Sequence, residues 1–172
     1  MQIVLGYDHV TLHEQVDQEA LELRLIELGE GRSREILNER VGLLRLAGRL
    51  DEALDVANQA LREARFGGDR EELLLARMRR AQVQQSLGKL DVALSDLADC
   101  VAEARSHDWG MTEAFALQYR GKVQFELGQF DAAARDFRQA LSIRVRIKAP
   151  SEQVQSSTLA LEVAESLAAA GS

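Results

Sequence analysis

Three arginines recur at one interval, Arg40, Arg80 and Arg120, and aspartates at Asp55, Asp96 and Asp136 follow them. Guanidinium groups at a fixed step could stack into a row that binds an anionic ligand. The same groups could instead be tied internally by those aspartates. The internal pairing is favoured, because a charge near the inner side of a helix normally keeps a partner. Groups suited to catalysis or metal binding are sparse. His9, His13 and His107 form no two-histidine metal spacing on a single helix, and no glycine-rich phosphate loop is present. Acidic pairs such as Glu71-Glu72 suit solvated helix faces better than acid–base catalysis. Cys100 is the single cysteine, so no internal disulfide can form, and its place among small residues at the same step marks it as a core residue. The expectation is a chain that is not an enzyme and carries neither metal nor cofactor.

The elements that position these residues follow from a phrase that occurs three times: Ala47-Gly48-Arg49-Leu50-Asp51-Glu52-Ala53, Leu87-Gly88-Lys89-Leu90-Asp91-Val92-Ala93 and Leu127-Gly128-Gln129-Phe130-Asp131-Ala132-Ala133. The glycines stand forty residues apart. A constant step of this size marks stacked supersecondary units. Before the first glycine, Ile36, Leu37, Leu43, Leu44 and Ala47 fall on one side of a helix. Gly48 ends that helix by accepting a left-handed backbone, and Asp51, Asp91 and Asp131 place negative charge near the positive end of the next helix. The second helix of each unit carries small residues (Ala53, Ala57 and Ala60; Ala93 and Cys100; Ala133 and Ala140) that allow close approach. Leu54, Leu61, Leu94, Leu97, Phe137 and Leu141 fill the remaining space. Asp69 with Glu72 has the spacing of a capping box, as does Thr11 with Glu14. Connectors are expected at Gly29–Ser33, Phe66–Asp69 and Trp109–Thr112, while Pro150 breaks one helix and Ser151 caps the next.

With 46% apolar residues, 5% aromatics and one proline in 172 residues, the chain suits a helical fold with a real core. A net charge of -7 opposes general binding to nucleic acid or anionic membranes. No stretch resembles a signal peptide or a membrane span, and the expected location is cytoplasmic. The expected architecture is all-α: an α-solenoid of antiparallel helix hairpins with about eight helices. Its segments are 1–32 with a capping helix over 11–28, hairpin units at 33–68, 69–110 and 111–149, and a capping helix in 150–172.

The pattern resembles the tetratricopeptide repeat, and the resemblance implies a right-handed superhelix. The family's turn glycine falls on Gly48, Gly88 and Gly128, and its two small residues on Ala53, Ala93 and Ala133 and on Ala60, Cys100 and Ala140. The bulky residue after the glycine is Leu50, Leu90 or Phe130. The early small residue of the first helix is Ala81 or Gly121 but Val41 in the first unit. The usual period is about 34 residues, so the forty-residue step is similar to the long-period variant of kinesin light chains and bacterial regulators. The resemblance implies a protein-interaction scaffold whose first helices line a concave groove for a peptide or partner protein. The groove residues it implies are Asn38, Arg45, Leu75, Met78, Gln82, Gln85, Phe115, Gln118, Lys122 and Phe125, with amides and cations beside exposed Met and Phe. The carboxylate-gripping subset is not reproduced, since Asn38, Gly42, Arg79, Phe115 and Tyr119 occupy its positions. A second reading is a regulatory sensor that binds a signalling peptide or small effector and acts on an output domain. A third is self-assembly through the terminal helices.

Overall fold

A computed structural model describes residues 2–171. Its elements run β1 (Val4–Tyr7), β2 (Glu14–Val16), α1 (Gln18–Leu28), α2 (Arg34–Leu46), α3 (Leu50–Gly67), α4 (Arg70–Ser86), α5 (Leu90–Ser106), α6 (Gly110–Glu126), α7 (Phe130–Arg146) and α8 (Ser151–Ala170). Eight helices are present among the described residues, and the fold is an all-α repeat array with a short hairpin at its N-terminal end.

That hairpin corrects the expected helix over 11–28. β1 and β2 pair antiparallel with Tyr7 opposite Glu14 and Val4 opposite Val16, and the ladder is irregular between Val4 and Gly6. The Asp8 amide donates to the His13 carbonyl at 2.8 Å, and Leu12 has φ 60°. Thr11 and Glu14 therefore form no capping box, because the backbone between them turns instead of winding. The helix begins only at Gln18, where the Asp17 carboxylate accepts a hydrogen bond from the Ala20 amide at 3.0 Å.

The three repeated turns share one geometry. Gly48, Gly88 and Gly128 have φ of 73°, 75° and 72°, a region where a side chain would be strained. The residue after each glycine donates its amide to a carbonyl five positions back: Arg49 to Leu44, Lys89 to Gln84 and Gln129 to Gln124, each at 2.9 Å. This closes the helix end in a Schellman arrangement. Asp51, Asp91 and Asp131 lie in the first turn of the following helices, as expected. The Asp69 carboxylate accepts from the Glu72 amide at 3.0 Å and caps α4, while the Glu72 carboxylate turns to Asn38 and Arg79. Two other caps differ from expectation. Pro150 itself occupies the cap position of α8, with no side-chain cap from Ser151. Trp109 precedes α6 without a side-chain bond, and Thr112 is buried inside the helix.

The chain divides into two compact units. The first holds the hairpin strands and α1 to α4. Its core joins Leu37, Val41 and Leu44 of α2 with Ala53, Val56, Ala57 and Ala60 of α3 and Val83 of α4. α1 packs on α2 and buries Ala20 and Leu21. The second unit holds α5 to α8 together with His9–Leu12. Its core contains Phe125, Ala133, Ala134, Phe137, Ala160 and Ala164, and Leu12 is among them. Ala53, Ala93, Cys100, Ala133 and Ala140 are all buried, as their repeat positions require. No helix among the described residues is long and apolar enough to cross a membrane.

Candidate partner-binding surface

The first helices of successive hairpins pack beside one another within the first unit, α2 against α4. On α4, Leu75 and Gln82 stand seven residues apart, two helical turns, and share one half-buried face. Phe115 and Lys122 occupy the equivalent places on α6 and are likewise half-buried. Gln85 completes the partly accessible set on α4. These residues retain the exposure that contact with another chain requires.

Other expected groove residues turn inward. Met78 is 1% exposed, Gln118 3% and Phe125 7%, which corrects their assignment as exposed contacts. Met78 and Gln118 share one repeat position, and that position points into the helix packing. Phe125 lies at the C-terminal end of α6, where it meets the Phe130 ring edge-on at a centroid distance of 5.3 Å. Asn38 and Arg45 remain half-buried but are already engaged. Asn38 donates to Glu72 at 2.9 Å, and Arg79 reaches the same carboxylate at 3.4 Å. Arg45 pairs with Glu14 of β2 at 3.1 Å. Two of the positions used for carboxylate gripping, Asn38 and Arg79, are thus joined through an internal acid.

The second unit has a buried polar network that the sequence did not reveal. Arg144 is 2% exposed and Ser157 is fully buried. Arg144 Nη1 donates to Ser157 Oγ at 2.7 Å and to the Gln153 carbonyl at 2.9 Å, and Ser157 Oγ donates to Gln118 Oε1 at 2.7 Å. The Arg144 guanidinium also lies 5.3 Å from the centroid of the Phe115 ring, a cation–π distance. Gln118 therefore bridges α6 to α8, much as Asn38 bridges α2 to α4. Amides at this repeat position join neighbouring first helices. A signal existed in the sequence only as polar residues at otherwise apolar spacings, which gives no partner.

The expected internal pairing of the arginine row holds at Arg120. Arg120 donates to Asp136 through Nε at 2.7 Å and Nη2 at 2.8 Å, a two-pronged contact with a carboxylate that is 5% exposed. These bonds raise the Arg120 pKa against the opposing effect of burial. In the first unit the place of Asp136 is taken by Val56, which is buried, while Asp55 is exposed one residue out of register. Arg40 instead acts by its charge on Glu52, whose carboxyl is held below the usual range chiefly by the Arg49 hydrogen bond.

Residues 114–144 match the tetratricopeptide repeat family, spanning most of α6 and α7. No curated protein sequence gives a significant match to the chain. Among solved structures, the chain is similar to BtubC (BKLC) from P. vanneervenii, with 17% identity, a TM-score of 0.56, and coverage of 90% of this chain and 72% of that one. It is also similar to the MamA RS-1 ArsTM double mutant, with 18% identity, a TM-score of 0.45, and coverage of 87% and 84%. At these identities the likeness to BtubC bears on the fold alone.

Proposed function

We propose, from the premise that the chain is a tetratricopeptide-repeat protein, that it is a scaffold whose first helices hold a peptide or a segment of a partner protein. The carrying observation is the half-buried face that recurs at one repeat step, Leu75 with Gln82 on α4 and Phe115 with Lys122 on α6. Each pairs an apolar body with a polar head two turns away. An extended peptide presents that combination as well, since its backbone carries donors and acceptors and its side chains alternate faces. Gln82 and Gln85 can donate and accept at once, which suits main-chain recognition without a fixed sequence. Asn38, Arg45 and Met78 then belong to the packing of the first unit, and Gln118 and Phe125 to that of the second. Arg120 has no part in ligand contact in this reading, because it is committed to Asp136.

The test is a display selection of random peptides on the full chain, followed by affinity measurements on the variant Gln82→Ala/Gln85→Ala/Lys122→Ala. Met78 stays unaltered, because truncating a buried side chain would cost stability and blur the outcome. Selected peptides should lose about tenfold in affinity or more, equivalent to about 1.4 kcal/mol. Equal affinity for both proteins would remove these faces from consideration.

A further inference from the structure

Large apolar side chains are exposed together at two places, and the two differ in charge. The first is α1, where Leu23 is 45% exposed and Ile26 74%. By helical spacing they share one face with Glu19, Glu22 and Glu27, all exposed. The cations nearby do little to offset these acids. Arg24 meets Glu27 at 3.0 Å but is also held by Glu39 at 2.6 Å, and Arg49 reaches Glu22 only at 4.0 Å while it holds Glu52 at 2.6 Å. The second place is the C-terminal end of α7. Val145 is 59% exposed and Ile147 36%. Arg146 and Lys148 alternate with them in the chain, both exposed and in no ion pair among the described residues. Met111, 37% exposed, adjoins this end: it follows Gly110, where an added Cβ would stand 3.8 Å from Ile147 Cγ2. Two copies of either patch would set like charges against each other, whereas one of each sets acids against cations around an apolar centre.

We infer that the α1 face of one copy of this chain docks on the α7 end of another, with Leu23 and Ile26 against Val145, Ile147 and Met111, and with the acids of α1 facing Arg146 and Lys148. Such a contact is heterologous. Each copy in a pair keeps one face unused, so assembly continues past the pair unless it closes on itself. Few apolar side chains take part, which places the contact among weak and reversible associations. The patches lie apart from the Leu75, Gln82, Phe115 and Lys122 faces, so the inference does not depend on the peptide-binding reading.

Sedimentation velocity on the full chain tests it. The average mass of the wild type should rise above that of one chain as concentration increases, and the rise should shrink at about 0.5 M salt, where surface charges are strongly screened. Ile26→Lys removes an anchor and reverses charge on the α1 face, and Val145→Glu does the same at the α7 end. Both positions are exposed, and helical circular dichroism verifies each fold; Ile26→Gln or Val145→Gln replaces a variant that loses that signal. Each variant alone should associate at least about tenfold more weakly than the wild type. Mixed in equal amounts, the two should form pairs and nothing larger, because the intact α7 end of the first meets the intact α1 face of the second and the faces left over are both altered. A wild type that stays monomeric at millimolar concentration, a rise untouched by salt, a variant that assembles as the wild type does, or a mixture that stays monomeric each overturns the inference.

Discussion

The hairpins α2–α3 and α6–α7 share one repeat pattern yet solve the same packing problem with opposite residues. Where the first has Val41 and Ala57, both buried in a single cluster, the second has Gly121 and Phe137 at the equivalent places. A Cβ added at Gly121 would stand 2.6 Å from Phe137 Cε1, so the ring occupies the space that a side chain fills in the first hairpin. The total volume is conserved while its source moves from one helix to the other. A second exchange lies beside it. Arg120 faces Asp136, whereas Arg40 has Val56 at the corresponding position. The repeat therefore constrains the sum of two facing residues more tightly than either residue alone, which is the behaviour of a close-packed interior.

The largest effect should come from disturbing the volume exchange. Phe137→Ala is expected to cost about 3–5 kcal/mol, and Gly121→Val alone about 1–3 kcal/mol by overpacking. The double variant writes the pair of the first hairpin into the second, and its loss should fall short of the sum by about 1 kcal/mol or more. Urea unfolding of the three proteins measures this, and strict additivity would break the comparison.

The charged exchange should have a smaller effect. Asp136→Ala strands Arg120 in a part-buried site and should cost about 2–3 kcal/mol, below the figure for a fully buried pair. Arg40→Ala should cost under about 1 kcal/mol, because Val56 stands where Asp136 faces Arg120. Equal losses in the same denaturant series would show that Val56 and Asp136 are not the functional counterparts proposed.

The smallest effect is pH-dependent and belongs to the first hairpin alone. Arg24 donates to Glu39 at 2.6 and 3.0 Å and holds its carboxyl below the usual range. A carboxyl depressed in the folded state stabilises above its unfolded value and loses that contribution as pH falls through the folded value. Both side chains are 39% exposed, so the gain is at most about 0.5–1 kcal/mol. Glu39→Gln should be less stable than wild type near pH 7, and the gap should close as the pH approaches about 2. A gap that stays constant with pH contradicts the assignment.

Much of this was legible before any coordinates. The turns at Gly48, Gly88 and Gly128 were readable because they depend on local conformational preference, which a single residue type reveals. Asp69 with Glu72 was readable for the same reason. The Thr11 and Glu14 spacing misled, since the same four residues fit a helix start and a hairpin tip, and the choice depended on where Leu12 could be buried. The groove assignment was mistaken in taking Met78, Gln118 and Phe125 as exposed. Position along a helix gives the direction of a side chain, while accessibility also depends on what the neighbouring helix brings.

The forty-residue step and the small residues within it determined the helical repeat by themselves, because hydrophobic periodicity and turn chemistry act over a few residues. Which polar groups pair, that Arg144 is buried with Ser157 and Gln118, and that Leu12 lies among the alanines of α7 and α8 were decided only in three dimensions. Those outcomes depend on contacts between residues distant in sequence, and their energies arise only once the helices have packed.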